Sequence, residues 1–187
     1  MRRTRAALAA FFAAATGTAA WAADAGGSGF DTIVGPDGAI TLEGYDYRRD
    51  LVFLGSWAVN DEDGVHELHQ VYTQPATIDA YLATGAFPDG AVLVKELQVA
   101  ETGEFTTGRV GHYGAPAGWF VMVRDTRGRF AGHPLWGEGW GWAQFAAGAP
   151  AVPITDDYEA ECLGCHEPAR DTGLVYVEGY PLLAGGD

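Results

Sequence analysis

The chain has 187 residues, of which 48% are hydrophobic and 12% aromatic, enough apolar material for one domain with a substantial core. Its formal net charge of -14 argues against a nucleic-acid partner, because a phosphate backbone needs a basic face. The chain has only 2 cysteines, Cys162 and Cys165, and their close spacing excludes a disulfide framework for the whole domain.

Residues 1–22 have the features of a secretory signal peptide. Arginines at positions 2, 3 and 5 form a basic start, residues 6–15 are a short apolar run, and an Ala-Trp-Ala sequence offers cleavage after Ala22. The alternative is a membrane anchor, for which the run is short and is interrupted by polar residues from Thr16 onward. We therefore expect an exported, periplasmic protein whose mature chain has no membrane span.

The rest of the chain predicts an α+β fold, a predominantly antiparallel β-sheet with a few short helices. Residues 23–44 are predicted to be a flexible leader, and residues 45–187 the folded domain. Hydrophobic periodicity and turn residues predict strands over residues 66–73, 91–99, 119–124, 139–145 and 173–180. They predict helices at the start of residues 47–54, over residues 75–84 with Gly85 as C-cap, and over residues 156–163 with Thr155 as N-cap.

Cys162, Cys165 and His166 form the motif C-x-x-C-H directly after the last predicted helix. Two thiols at this spacing can form thioether bonds to the vinyl groups of one haem, and the adjacent histidine then supplies an axial ligand to the iron. The alternatives are a C-x-x-C redox pair, which is typical of a βαβ context, and half of a zinc site, which needs further ligands. The motif therefore predicts one covalently bound haem c, with His166 as the metal ligand.

Lys95 is the single lysine of the chain and lies inside a predicted strand. Strand alternation places it on the same face as Leu93 and Leu97, and places Glu96 on the opposite face. An ammonium group on an apolar face is costly unless it is paired or neutral, and a neutral lysine is a nucleophile. The alternative is an edge-strand lysine whose amine extends to water.

Two stretches resemble the cytochrome P-460 family: residues 87–97, around Lys95, and residues 162–183, around the haem motif. Shorter matches at residues 47–55 and 71–75 extend the resemblance over about residues 45 to 183. It implies an antiparallel sheet with the haem packed against it, a homodimer, and five-coordinate iron. It also implies that the Lys95 nitrogen is bonded to a meso carbon of the haem.

The sequence departs from this family at two distal positions. His69 stands where the hydroxylamine-oxidising members have an arginine, and Phe120 stands where they have a carboxylate. A phenylalanine there is similar instead to the cytochrome c′-β proteins, whose apolar pocket binds nitric oxide and which lack the lysine. His69 could hydrogen-bond a ligand or move protons, could itself ligate iron, or could be an ordinary strand histidine. Met122 could ligate iron too, but its pattern favours a core residue.

Three functions follow as hypotheses. The first is an oxidoreductase that acts on hydroxylamine or nitric oxide and passes electrons to a periplasmic partner, with Lys95, His69 and Phe120 as the catalytic-site residues. The second is a nitric-oxide-binding cytochrome without hydroxylamine turnover. The third is an electron-transfer cytochrome, which would need a sixth ligand from the protein.

Overall fold

The computed structural model describes residues 29–184, which form one six-stranded antiparallel sheet with short helices, so the α+β prediction is confirmed. The strands are β1 (Val52–Asp61), β2 (Gly64–Thr73), β3 (Val92–Phe105), β4 (Gly108–Arg124), β5 (Trp136–Gly137) and β6 (Trp140–Ala146). Their spatial order in the sheet is β1-β2-β3-β4-β6-β5. The predicted signal peptide lies outside the described residues.

The helices are short and flank the sheet. They are α1 (Phe30–Ile33), α2 (Tyr47–Asp50), α3 (Pro75–Thr84) and α4 (Gly164–His166). A π-helical turn (Glu159–Leu163) precedes α4, and three 3₁₀ turns follow it, Glu167–Thr172, Val177–Gly179 and Pro181–Leu183. Across residues 29–184, none of these helices has the length and apolar character needed to cross a bilayer.

Helix α3 has the predicted bounds because its end signals are local. Pro75 has no backbone N–H, but the N–H groups in the first turn of a helix have no partner within the helix, so no hydrogen bond is lost. Gly85 adopts the left-handed conformation (φ 72°) and donates its N–H to the Tyr81 carbonyl over 2.7 Å. The predicted strands at residues 66–73, 91–99, 119–124 and 139–145 also form, and β3 and β4 extend well beyond the predicted bounds as a long hairpin.

Neighbouring residues of β3 lie on opposite faces of the sheet, as the alternation of side chains along a strand predicts. Lys95 lies between Val71 of β2 and Phe120 of β4. Glu96 points to the other face, where its neighbours across the strands are Gln70 and Trp119. The two faces are covered by different parts of the chain.

The Glu96 face is covered by residues 30–51, which corrects the prediction that all of residues 23–44 form a flexible leader. Ile33, Ile40 and Leu42 are at most 4% exposed and belong to the hydrophobic cluster on this face. A turn at residues 35–38 folds the segment back, so that Val34 and Ile40 pair as an antiparallel bridge. Burial of these side chains outweighs the glycine-rich composition on which the leader prediction was based.

The Lys95 face is covered by α3 and the C-terminal segment, which we define as residues 156–184. Leu174, Val175 and Tyr180 of this segment are buried in the second hydrophobic cluster. The prediction of a closing strand over residues 173–180 is wrong, because this stretch crosses the sheet and forms a 3₁₀ turn instead of pairing with a strand. Its backbone passes so close to β1 that a Cβ at Gly55 would overlap the Gly179 carbonyl oxygen.

Glu96 is a fully buried carboxylate, and its charge is compensated by Arg48 of α2. Arg48 Nε donates to Glu96 Oε2 over 3.0 Å, and the second guanidinium nitrogen donates to Oε1. This hydrogen bonding raises the pKa of Arg48. The pair therefore attaches the N-terminal segment to the centre of the sheet.

We expect Arg48→Ala to lower the free energy of unfolding by about 3 kcal/mol, because it leaves the Glu96 carboxylate buried without its cationic partner. Denaturant titration of the variant measures this loss. The matched control is Arg49→Ala, since the Arg49 side chain is 85% exposed and pairs with Asp46 on the surface. Equal losses in the two variants would contradict the structural role of the Arg48–Glu96 pair.

Candidate functional site

A cavity of about 520 Å³ lies between the sheet and the C-terminal segment. All six residues that the sequence singled out line it: His69, Lys95, Phe120, Cys162, Cys165 and His166. They come from positions up to about 100 residues apart, and the fold brings them to one place. Most other lining side chains are apolar, as is usual for a cofactor site of this size.

The sheet wall of the cavity is built from cross-strand rows on one face. One row contains Val71, Lys95, Phe120 and Gln144, on four neighbouring strands. A second row places Trp57 of β1 opposite His69 of β2. Met122 and Trp142 form a third row, and Met122 packs within the hydrophobic cluster, as its pattern favours.

The opposite wall is the π-helical turn and α4, which present the C-x-x-C-H motif. The prediction of Thr155 as N-cap of this element is wrong, because its hydroxyl instead accepts a hydrogen bond from the Gln144 N–H of β6. The Asp157 carboxylate takes the capping position and accepts from the N–H groups of Glu159 and Ala160. These contacts hold the start of the motif against the sheet.

His166 is oriented by its backbone partner and its ring neighbours. Its Nδ1 lies 2.6 Å from the carbonyl oxygen of Leu174, so Nδ1 carries the proton and Nε2 keeps a free lone pair. The Trp142 ring packs edge-on against the imidazole at 4.9 Å between centroids. Burial lowers the pKa of His166, which favours the neutral form that binds a metal.

Leu174 has a left-handed backbone (φ 67°) although it is not a glycine. Its side chain is buried in the hydrophobic cluster, which holds this conformation in place. The conformation directs the carbonyl at His166, so packing in the C-terminal segment helps to fix the orientation of the imidazole.

Lys95 presents its amine to the cavity without a carboxylate partner. Its Nζ lies 4.5 Å from the centroid of the Phe120 ring, and no hydrogen bond or ion pair joins it to any side chain within residues 29–184. Burial lowers the pKa of Lys95, because the apolar surroundings disfavour the ammonium form. The geometry is that of an amine facing a ligand space rather than water.

The two cysteines, the oriented histidine and the apolar walls together fit a haem better than a bare metal ion. Within the described part of the chain, no group of three or more His, Cys, Asp or Glu side chains could hold a metal ion, and this includes the motif itself. The sheet is antiparallel, so the βαβ context of a C-x-x-C redox pair is also missing from these residues. Cys162, Cys165 and His166 would hold the haem, and Lys95 would face it.

His69 has a partner that the sequence analysis missed. Its Nε2 lies 2.8 Å from Oε2 of Glu67, two residues earlier on the same face of β2. Spacing of i and i+2 in a predicted strand is the signal that could have found it. The bond occupies Nε2, the nitrogen farthest from the backbone, which disfavours iron ligation by that atom.

Comparison with protein-family models finds a match. The family model described as Cytochrome P460 matches residues 45–177, which include β1 to β6, the haem motif and the residues opposite it. The search of the curated proteins finds no match.

We expect Cys165 of the haem-free, reduced chain to react with iodoacetamide at least about tenfold faster than Cys162. Cys165 is exposed, whereas burial raises the pKa of Cys162 to about 11, so that roughly one Cys162 thiol in a hundred is ionised at pH 9. Peptide mass spectrometry over a time course measures both rates. Labelling in denaturant is the control and should equalise them, while equal rates in the folded chain would contradict this geometry.

Proposed function

The chain belongs to the cytochrome P-460 family, and on that premise we propose that it is a periplasmic c-type cytochrome with one haem that oxidises small nitrogen compounds such as hydroxylamine. Family membership implies a haem cofactor. The observation that carries the rest is the convergence of the C-x-x-C-H motif, Lys95 and His69 on one cavity.

Each group on the motif wall has a role in holding the haem. We assign the two thioether bonds to Cys162 and Cys165, and the axial bond to Nε2 of His166. The Leu174 carbonyl keeps the proton on Nδ1 and so keeps Nε2 available as a ligand. When bound, the haem supplies an iron that binds the nitrogen compound and passes electrons to an acceptor.

Lys95 is assigned the cross-link to the haem that the family resemblance implies. Two observations support this assignment: the amine faces the cavity, and burial lowers its pKa toward the neutral, nucleophilic form. Packing of the side chain against Phe120, with Nζ 4.5 Å from the ring centroid, holds it in the cavity. Forming this bond would remove one N–H of the amine and the meso C–H of the haem, release two protons, and pass two electrons to an oxidant such as a peroxide. The cross-link would then distort and tune the macrocycle, which is one way in which a protein sets the properties of a haem.

The remaining cavity residues act on the substrate. Phe120 and Val71 exclude water from the row on either side of Lys95. His69 is the sheet residue suited to accept substrate protons, since Phe120 has no group that can. Export through a signal peptide, a homodimer and a periplasmic electron acceptor complete the proposal, and these three rest on the sequence and the family resemblance alone.

Phe120 also favours a second candidate function, a nitric-oxide-binding cytochrome without hydroxylamine turnover. An apolar ring at the distal side suits a neutral diatomic ligand and offers no proton acceptor. An electron-transfer cytochrome is less well supported, because His69 Nε2 is bonded to Glu67 and Met122 packs in the core.

The decisive experiment combines intact mass with the absorption spectrum of the reduced protein, made in a host that matures c-type cytochromes. We expect the wild type to gain the mass of one haem that acid–organic extraction does not remove. Replacing both Cys162 and Cys165 with alanine should abolish the thioether bonds. Lys95→Ala should keep the haem and change the spectrum. An unchanged spectrum would refute the cross-link, and a colourless wild type would refute haem binding.

Phe120→Glu tests the role of position 120 in hydroxylamine oxidation, while turnover by the wild type itself separates the two candidate functions. If proton acceptance limits hydroxylamine oxidation, the carboxylate should raise the turnover number by about tenfold or more, because a positioned base contributes factors of this size. Phe120→Gln is the control for size and polarity without proton acceptance. Steady-state assays with hydroxylamine measure both variants, and equal turnover in the two would contradict the role given to position 120.

A further inference from the structure

We propose that Glu67 is a positioning residue for His69, and that the two side chains form a proton-accepting pair at the edge of the cavity. This inference rests on the proposed function and names the residues that would handle its protons. It is based on the hydrogen bond between the two side chains, on their place in β2, and on the composition of the sheet wall.

The composition of the sheet wall leaves few proton acceptors. Among the strand residues that line the cavity, only His69 and Lys95 have side chains with a nitrogen that can accept a proton. The other strand residues there are apolar, except for Gln144. Lys95 faces Phe120 in the middle of the wall and is the residue assigned to the haem cross-link. His69 is therefore the group on this wall that is suited to accept a substrate proton.

The Glu67 contact decides which nitrogen of His69 can accept that proton. An ionised carboxylate only accepts hydrogen bonds, so the contact between Oε2 and Nε2 places the hydrogen of the neutral imidazole on Nε2. Nδ1 is then left with its lone pair as the accepting atom. This is the tautomer control that a carboxylate exerts on a general-base histidine.

The same carboxylate stabilises His69 once it is protonated. The pair then becomes a charge-assisted hydrogen bond at 2.8 Å between side chains that are 18% and 32% exposed. Trp57 and Leu97, the cross-strand neighbours of His69, carry no charge. Lys95 is the charged side chain of the cavity wall that also interacts with Glu67.

The position of Glu67 also connects the cavity with solvent. Its cross-strand neighbours are Val59 and Val99, one row farther from Lys95 than His69. It is the more exposed member of the pair. A proton accepted by His69 therefore has a carboxylate next to it on the side that leads to water.

The test is a double-mutant cycle on the haem-loaded protein, with Glu67→Gln, His69→Ala and the double variant. Glu67→Gln keeps the size of the side chain and a hydrogen-bond acceptor but removes the charge. We expect it to lower kcat for hydroxylamine by about tenfold while KM changes less than about threefold. In the His69→Ala background the same substitution should have no further effect. The matched control is Glu62→Gln, an exposed glutamate in the β1–β2 turn, which should match the wild type.

A readout that is independent of turnover is the C–O stretching band of the ferrous carbonyl form, which responds to the polarity around the bound gas. Glu67→Gln should shift this band relative to the wild type and to Glu62→Gln. The double variant should have the same band as His69→Ala. Additive effects on kcat, or a band that Glu67→Gln leaves unchanged, would overturn the inference. A wild type without hydroxylamine turnover would refute the proposed function instead, while the band would still test the pair.

Discussion

The placement of the half-buried Lys95 amine beside an aromatic ring, with no carboxylate hydrogen-bonded to it in the described part of the chain, is the constraint around which the site is organised. A fold selected for stability alone would pair such a group, move it to water or replace it with a hydrocarbon. Here the amine faces a cavity whose opposite wall presents Cys162, Cys165 and His166. A ligand that fills this space would offset the cost of desolvating the lysine, either because the amine forms a bond to it or because the amine is neutral beside it.

The next residue, Glu96, is a buried charge on the face of the sheet that has no cofactor cavity. Strand alternation places it on that face, where Arg48 donates two hydrogen bonds to it beneath the N-terminal segment. One strand therefore carries a fully buried carboxylate that is paired within the chain, Glu96, and next to it a half-buried amine that faces a cavity, Lys95. The presence or absence of a partner within the chain therefore distinguishes the structural charge of Glu96 from the functional group of Lys95 better than burial alone does.

Much of this architecture could be predicted from the sequence, because the signals are local. Pro75 and Gly85 mark both ends of α3, and alternation within residues 91–97 predicts the faces of Lys95 and Glu96. The predictions failed where tertiary contacts determine the conformation. Residues 173–180 were predicted to be a strand but pack across the sheet. Residues 30–42 were predicted to be part of a flexible leader but pack in a hydrophobic cluster. Glu67 was missed because its i, i+2 spacing from His69 predicts a shared strand face but not that the two side chains are hydrogen-bonded.

The chain order of the walls has a consequence for how a large prosthetic group could enter. The last strand of the sheet ends at Ala146, and the wall that carries the cysteines and His166 is a single later segment. This segment is held to the sheet by buried side chains such as Leu174, Val175 and Tyr180, and by the Trp140 N–H that donates to the Gly173 carbonyl, but it pairs with no strand. Displacing it to admit a tetrapyrrole would therefore cost side-chain packing, while every strand pair of the sheet would stay intact.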